Sequence, residues 1–171
     1  MSTISKSLLL ATTVTAGIAL APALALADHP HYVSGPTSGV GGDDIDYTVS
    51  FKEAGLGNTT TVADYTLIVT ASVTYQCFNH GGNAPQGTPF TVGPVPLTGG
   101  GTFPVRNGSV TATITVEEPE VPTTAKCTGN GQFCAIAFSY TDAVLTDPFG
   151  HTTDVAPQTS STPFLNCKLD R

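Results

Sequence analysis

The chain has no tryptophan and a single methionine, and only 11% of its 171 residues are charged. Without tryptophan there is neither an indole floor for a sugar cleft nor the buried Trp of a true immunoglobulin domain. Six Lys and Arg stand against 13 Asp and Glu, and the net charge of −7 excludes electrostatic attraction to nucleic acid or to an anionic membrane surface. No Gly-x-Ser-x-Gly elbow occurs, and four scattered histidines give no spacing that implies a catalytic triad. The nearest two cysteines, Cys127 and Cys134, are seven positions apart, too far for the close-set pairs of a zinc site. Past residue 26 no apolar run is long enough to span a bilayer, and after residue 27 apolar residues nowhere recur at helical spacing.

What is present begins with an export signal. Lys6 precedes an uncharged stretch of apolar and small residues, Leu8 to Leu26, and Ala25-Leu26-Ala27 supplies the small-x-small pattern of a cleavage site. Residues 1–27 are therefore expected to be a cleavable signal peptide, and the remainder to be secreted, extracellular and free of membrane insertion. Residues 28–171 suit one domain, with 28–44 as an irregular arm rich in His, Pro, Gly and Ser and 45–171 as the folded unit. Cys77, Cys127, Cys134 and Cys167 are an even count in an exported chain, which predicts two structural disulfides.

Strand signals fill the rest. Ile45, Tyr47, Val49 and Phe51 alternate with polar residues, and so do Tyr65, Leu67, Val69, Ala71, Val73, Tyr75 and Cys77. The second run exceeds the usual strand of about 5–6 residues, so a bend or bulge is expected in it. Thr88 to Val95 and Thr102 to Val105 read as two short strands separated by a turn at Gly99-Gly100-Gly101. Asn107-Gly108 is a tight-turn signal before Val110, Ala112, Ile114 and Val116. In residues 133–146, Cys134, Ile136, Phe138 and Tyr140 share a face, whereas Ala143 and Leu145 fall on the other parity, placing a bulge near Thr141-Asp142. Six to eight such strands predict an all-β antiparallel β-sandwich with an immunoglobulin-like Greek key, the alternative being a small β-barrel or jelly roll.

Candidate chemistry is sparse. Asp28-His29-Pro30-His31 sets two imidazoles beside the amine that processing would expose, and His29 and His31, with His80 or His151 as a further ligand, make a candidate Cu(II) site. Pro30 blocks backbone-amide coordination leading to His31, and a solvated arm is the plainer alternative. Asp43-Asp44-x-Asp46 and Glu117-Glu118-Pro119-Glu120 are candidate calcium ligands without the spacing of a dedicated loop. Four of the five tyrosines fall on core faces, leaving Tyr32 as the exposed ring. Asn58-Thr59-Thr60 and Asn107-Gly108-Ser109 match the glycan acceptor pattern. Four cysteines allow three pairings. Cys77 and Cys134 both lie on inward parities suited to an inter-sheet bridge, while Cys127 sits beside a loop within reach of the strand end carrying Cys77, and the residues alone leave both open.

Phe51-Lys52-Glu53-Ala54-Gly55-Leu56-Gly57-Asn58, Tyr75-Gln76-Cys77 with Asn79-x-Gly81-Gly82, and Ser139-Tyr140-Thr141-Asp142-x-x-Leu145-Thr146-Asp147 resemble a group of small exported bacterial β-rich proteins of unassigned function. The resemblance spans most of residues 45–147. It implies a bridge from Cys77 to Cys127, leaving Cys134 for Cys167, and it implies no activity or ligand. The reading is a secreted non-catalytic domain with a structural or binding role and no cofactor, its partner a protein or a surface polymer. Its alternatives are copper binding through the N-terminal histidines and hydrolysis of an extracellular polymer.

Overall fold

A computed structural model of the chain describes residues 29–41, 45–79, 85–127, 131–161 and 166–169. Residues 1–27, read from the sequence as a signal peptide, and Asp28, Asp43, Asp44 and His80 lie outside them. Nine strands follow one another, with no helix among the described residues: β1 (His31–Gly41), β2 (Asp46–Ala54), β3 (Val62–Phe78), β4 (Pro85–Pro104), β5 (Ser109–Val116), β6 (Gln132–Thr146), β7 (Thr152–Val155), β8 (Gln158–Ser160) and β9 (Asn166–Leu169). They form two antiparallel sheets, one ordered β1-β2-β5 and the other β4-β3-β6-β7, with β8 and β9 also paired to β6. The chain makes the pair β1-β2 in the first sheet, crosses to make β3-β4 in the second, returns for β5, and crosses again for β6. The sheets pack face to face, and no closed barrel forms.

Alternation decides which faces meet. In β3 every second residue from Ala63 to Tyr75 is buried, and in β5 Val110, Ala112, Ile114 and Val116 are buried between exposed threonines. β2 pairs with β5 so that Tyr47, Val49 and Phe51 lie opposite Val116, Ile114 and Ala112, one inward residue against another. Period-two side chains on antiparallel partners produce this agreement, since a slip of one residue would turn every apolar group outward. Four tyrosines stand in for the missing tryptophan as the large core bodies. Each spends its hydroxyl at the rim: Tyr47 on Ala156 O (2.8 Å), Tyr140 on Ile45 O (2.7 Å), Tyr75 on Glu118 and Pro119 O (both 3.1 Å), and Tyr65 on Glu53 (2.5 Å). The rings bury apolar area while the phenols stay satisfied, and they tether connecting segments to the sheets.

Irregularities fall partly where the sequence puts them. Opposite Val69, β6 carries the extra pair Asp142 and Ala143, with Asp142 at φ 52°, which is the bulge expected near Thr141-Asp142. Asn107 and Gly108 both adopt positive φ, and Arg106 and Ser109 exchange backbone hydrogen bonds across them (2.8 and 3.0 Å).

Four expectations change. Residues 31–41, read as part of an irregular arm, form strand β1, because β2 offers an open edge whose ladder satisfies their backbone. The two short strands expected at 88–95 and 102–105 are one strand, and the glycine triplet is not a turn. At Gly99 a Cβ would stand 2.7 Å from Val116 Cγ2, and at Gly100 2.3 Å from Tyr65 O, so these residues let β4 press onto its neighbours. The shared face of Cys134, Ile136, Phe138 and Tyr140 breaks, because a second irregularity leaves Ile136 without a partner between Ala135 and Ala137. Phe133 and Ala135 consequently join the core, and Cys134 belongs to the opposite parity.

The disulfides are Cys77–Cys127 and Cys134–Cys167, the pairing the resemblance implies. The first ties the end of β3 to the segment after β5. The second bridges directly opposed residues of β6 and β9 and fastens the C-terminal strand to the sheet.

Candidate functional site

Where the edge strands β1 and β7 approach at one end of the sandwich, the sheets leave a cleft of about 520 Å³. Its wall comprises His29, Pro30, His31 and Tyr32 from the start of β1, Glu53 from the end of β2, and Asp147, His151 and Thr153 from the β6–β7 turn and β7. Both sheets thus contribute, and ionisable side chains far apart in sequence come together.

Glu53 continues the inward parity of Tyr47, Val49 and Phe51 and is 1% exposed. It accepts the Tyr65 hydroxyl proton at 2.5 Å. Burial pushes its carboxyl above the ordinary range, the Tyr65 hydrogen bond partly offsets this, and Asp147 adds to the rise. The Tyr65 phenol is driven well above its usual value, first by desolvation and then by the Glu53 carboxylate.

Asp147 organises the turn that follows β6. Its Oδ1 accepts backbone N–H bonds from Phe149 and His151, both at 2.8 Å, and its Oδ2 accepts from His151 Nδ1 at 2.8 Å. The Asp side chain is 4% exposed and the His151 ring 68% exposed, so a buried anchor holds an imidazole at the rim. In the same wall His31 Nδ1 donates to the His29 carbonyl at 2.9 Å. Tyr32 is half-buried, not the exposed ring expected: it packs edge-on against Phe51 at 5.9 Å, and its hydroxyl is sealed from solvent beside Thr153. Burial and the carboxylates of Glu53 and Asp147 push its pKa up to about 12.

Of the residues singled out in the sequence, His29, His31 and His151 meet in this cleft. The acidic runs meet at one point but assemble no cluster of carboxylates among the described residues. Asp46 accepts the backbone N–H of Glu118 at 3.0 Å, Glu118 turns inward to Tyr75, and Glu117 and Glu120 face solvent. Glu53 and Asp147 were not singled out as site residues. Glu53 was legible, since the β2 alternation carried two residues further points it inward, whereas the service of Asp147 to His151 needs the turn geometry. A second, smaller pocket of about 380 Å³ is lined by Lys52, Arg106, Asn107, Ser109 and Thr111, and neither cation forms an ion pair among the described residues.

Comparison with known protein families, curated proteins and solved structures gives no match for this chain.

Proposed function

We propose that this protein is a secreted, non-catalytic binding module with an immunoglobulin-like Greek key, acting outside the cytoplasm on a protein or surface-polymer partner through its β1–β7 cleft. The observation that carries the reading is that all four cysteines are paired in two disulfides. Such cross-links persist in oxidising space and are rare where thiols are kept reduced, which agrees with the export pattern of residues 1–27. The order β1-β2-β5 over β4-β3-β6-β7, with hairpin pairs split between sheets, supports the Greek key.

The carboxylates favour binding over catalysis. A polymer hydrolase of the paired-carboxylate kind needs both acids free to face substrate. Here Asp147 spends both oxygens on its own turn, and Glu53 is engaged by Tyr65. The test begins with the intact mass of the chain recovered from culture medium, which should lack residues 1–27 and the four hydrogens lost to two disulfides. That material is then co-sedimented with cell-wall and surface fractions. Retention that weakens in a Tyr32→Ala variant is the expected result; recovery only from the cytoplasm, or no retention on any fraction, overturns the proposal.

A further inference from the structure

We infer that the β1–β7 cleft binds a divalent late transition-metal ion, Cu(II) most tightly, through Nε2 of His31 and Nε2 of His151. The inference deepens the binding-module reading and rests on its choice of this cleft.

Three observations carry it. Each imidazole is anchored through Nδ1 to an oxygen that accepts: His31 to the His29 carbonyl at 2.9 Å, and His151 to the Asp147 carboxylate at 2.8 Å. A neutral ring whose Nδ1 bears the proton keeps its lone pair on Nε2. Anchoring the far nitrogen to a carbonyl or carboxylate is how metal-binding histidines are held in tautomer and orientation. The second observation is placement. One ring stands on β1 and the other in the β6–β7 turn, more than a hundred positions apart in sequence, yet both line one cleft, with His29 also in its wall. The third is support. Asp147 is itself fixed by two backbone N–H groups, so the His151 ring rides on a rigid mount.

Among the described residues no three His, Cys, Asp or Glu side chains stand assembled around one point. The ion is therefore held by the two anchored rim imidazoles alone, with water completing its shell. Imidazole donors suit copper and zinc, and affinity at a given nitrogen site rises to Cu(II) and falls again at Zn(II). The sequence suggested a clamp formed by a freed amino terminus with His29 and His31. In the tertiary structure His151 takes the role of the amine, so binding does not depend on where processing ends.

The test titrates purified, oxidised protein with Cu(II) and then Zn(II) by calorimetry, and records the Cu(II) electron paramagnetic resonance spectrum. One equivalent of Cu(II) should bind, with nitrogen hyperfine structure from two imidazoles and weaker Zn(II) binding. His31→Ala and His151→Gln should each weaken Cu(II) binding at least about tenfold, with the tyrosine circular dichroism of the folded core unchanged. A form extended by several residues before His29 should bind equally well. The inference is overturned by absence of stoichiometric binding, by an affinity indifferent to His151→Gln, or by an affinity that the extension abolishes, which marks an amino-terminal chelate instead. Its failure is distinguishable from that of the binding-module reading: a silent titration leaves surface retention intact, whereas a protein retained by no surface fraction leaves the titration of the purified, oxidised chain intact.

Discussion

Removal of the disulfides should decide whether this chain folds at all. Cys77 and Cys127 are separated by 50 residues and Cys134 and Cys167 by 33, and the two loops follow one another without overlap. Cross-linking removes loop-closure entropy from the unfolded chain, which for these lengths amounts to about 4.1 and about 3.7 kcal/mol at 25 °C. Because the loops are independent the contributions add, and roughly 8 kcal/mol compares with the roughly 5–15 kcal/mol that holds an ordinary domain folded. Cys134 is fully buried and Cys127 nearly so, so exchange to Ala also opens small voids and adds to the loss. The perturbations are the paired variants Cys77→Ala with Cys127→Ala, and Cys134→Ala with Cys167→Ala, each unfolded in urea beside the parent. Each pair should lower the free energy of unfolding by roughly 4 kcal/mol. The dependence on urea should steepen, because the released chain expands and exposes more surface. Reduction of the parent should remove both contributions together and unfold it. A loss below roughly 1 kcal/mol for both pairs would refute the reasoning, since it would mean that the unfolded chain is already compact enough to make the bridges redundant.

Three further outcomes are expected. Glu53 has a folded pKa above its unfolded value, so it favours folding below the unfolded value, and that contribution is lost as pH rises through the folded one. Glu53→Gln should therefore be at least as stable as the parent at pH 7, with the advantage vanishing in acid. Tyr65→Phe should cost about 1–3 kcal/mol by stranding the buried carboxyl; urea unfolding at two pH values checks both, and a Glu53→Gln variant less stable than the parent at pH 7, or differing from it equally at both values, contradicts the first. All five tyrosines have raised pKa values. Near pH 10, where a free phenol is half ionised, the folded protein should show little tyrosinate absorbance, which should then appear together with unfolding. Half-ionisation at pH 10 in a protein that keeps its circular dichroism would contradict this. Gly99→Ala should lower stability by about 1–3 kcal/mol, because its Cβ would overlap Val116 and press on the Thr115 carbonyl; an unchanged melting temperature would show that β4 can move away.

How much of this was legible varies along the chain. β5 and β3 as far as Tyr75 could be read residue by residue, because each buries every second side chain, and the Asn107-Gly108 turn carries its own conformational demand. β1 could not. As an edge strand it buries little, so its side chains show no alternation, and only the open ladder of β2 makes it a strand. β4 was hidden for a related reason: its glycines and prolines, which read as turns, suit an edge where close approach matters and one row of backbone groups needs no partner. In β6 one bulge was visible as a change of parity, whereas the slip at Ile136 was masked by apolar residues on both sides of it.

The candidate site divides the same way. His29 and His31 stand out because imidazoles near an amino terminus are a local pattern, and Glu53 follows from parity. That His151 lines the same cleft as His31, and that Asp147 holds it there, depends on two sheets meeting at one edge.

The sequence alone determined that the chain forms alternating strands, that those strands bury one face, and that its cysteines are even in number, because period-two patterning and composition are local properties. Tertiary structure alone decided which strands share a sheet, which cysteines meet, and that three histidines and two carboxylates line one cleft. Those are relations between distant residues, fixed only when both sheets close over a common core.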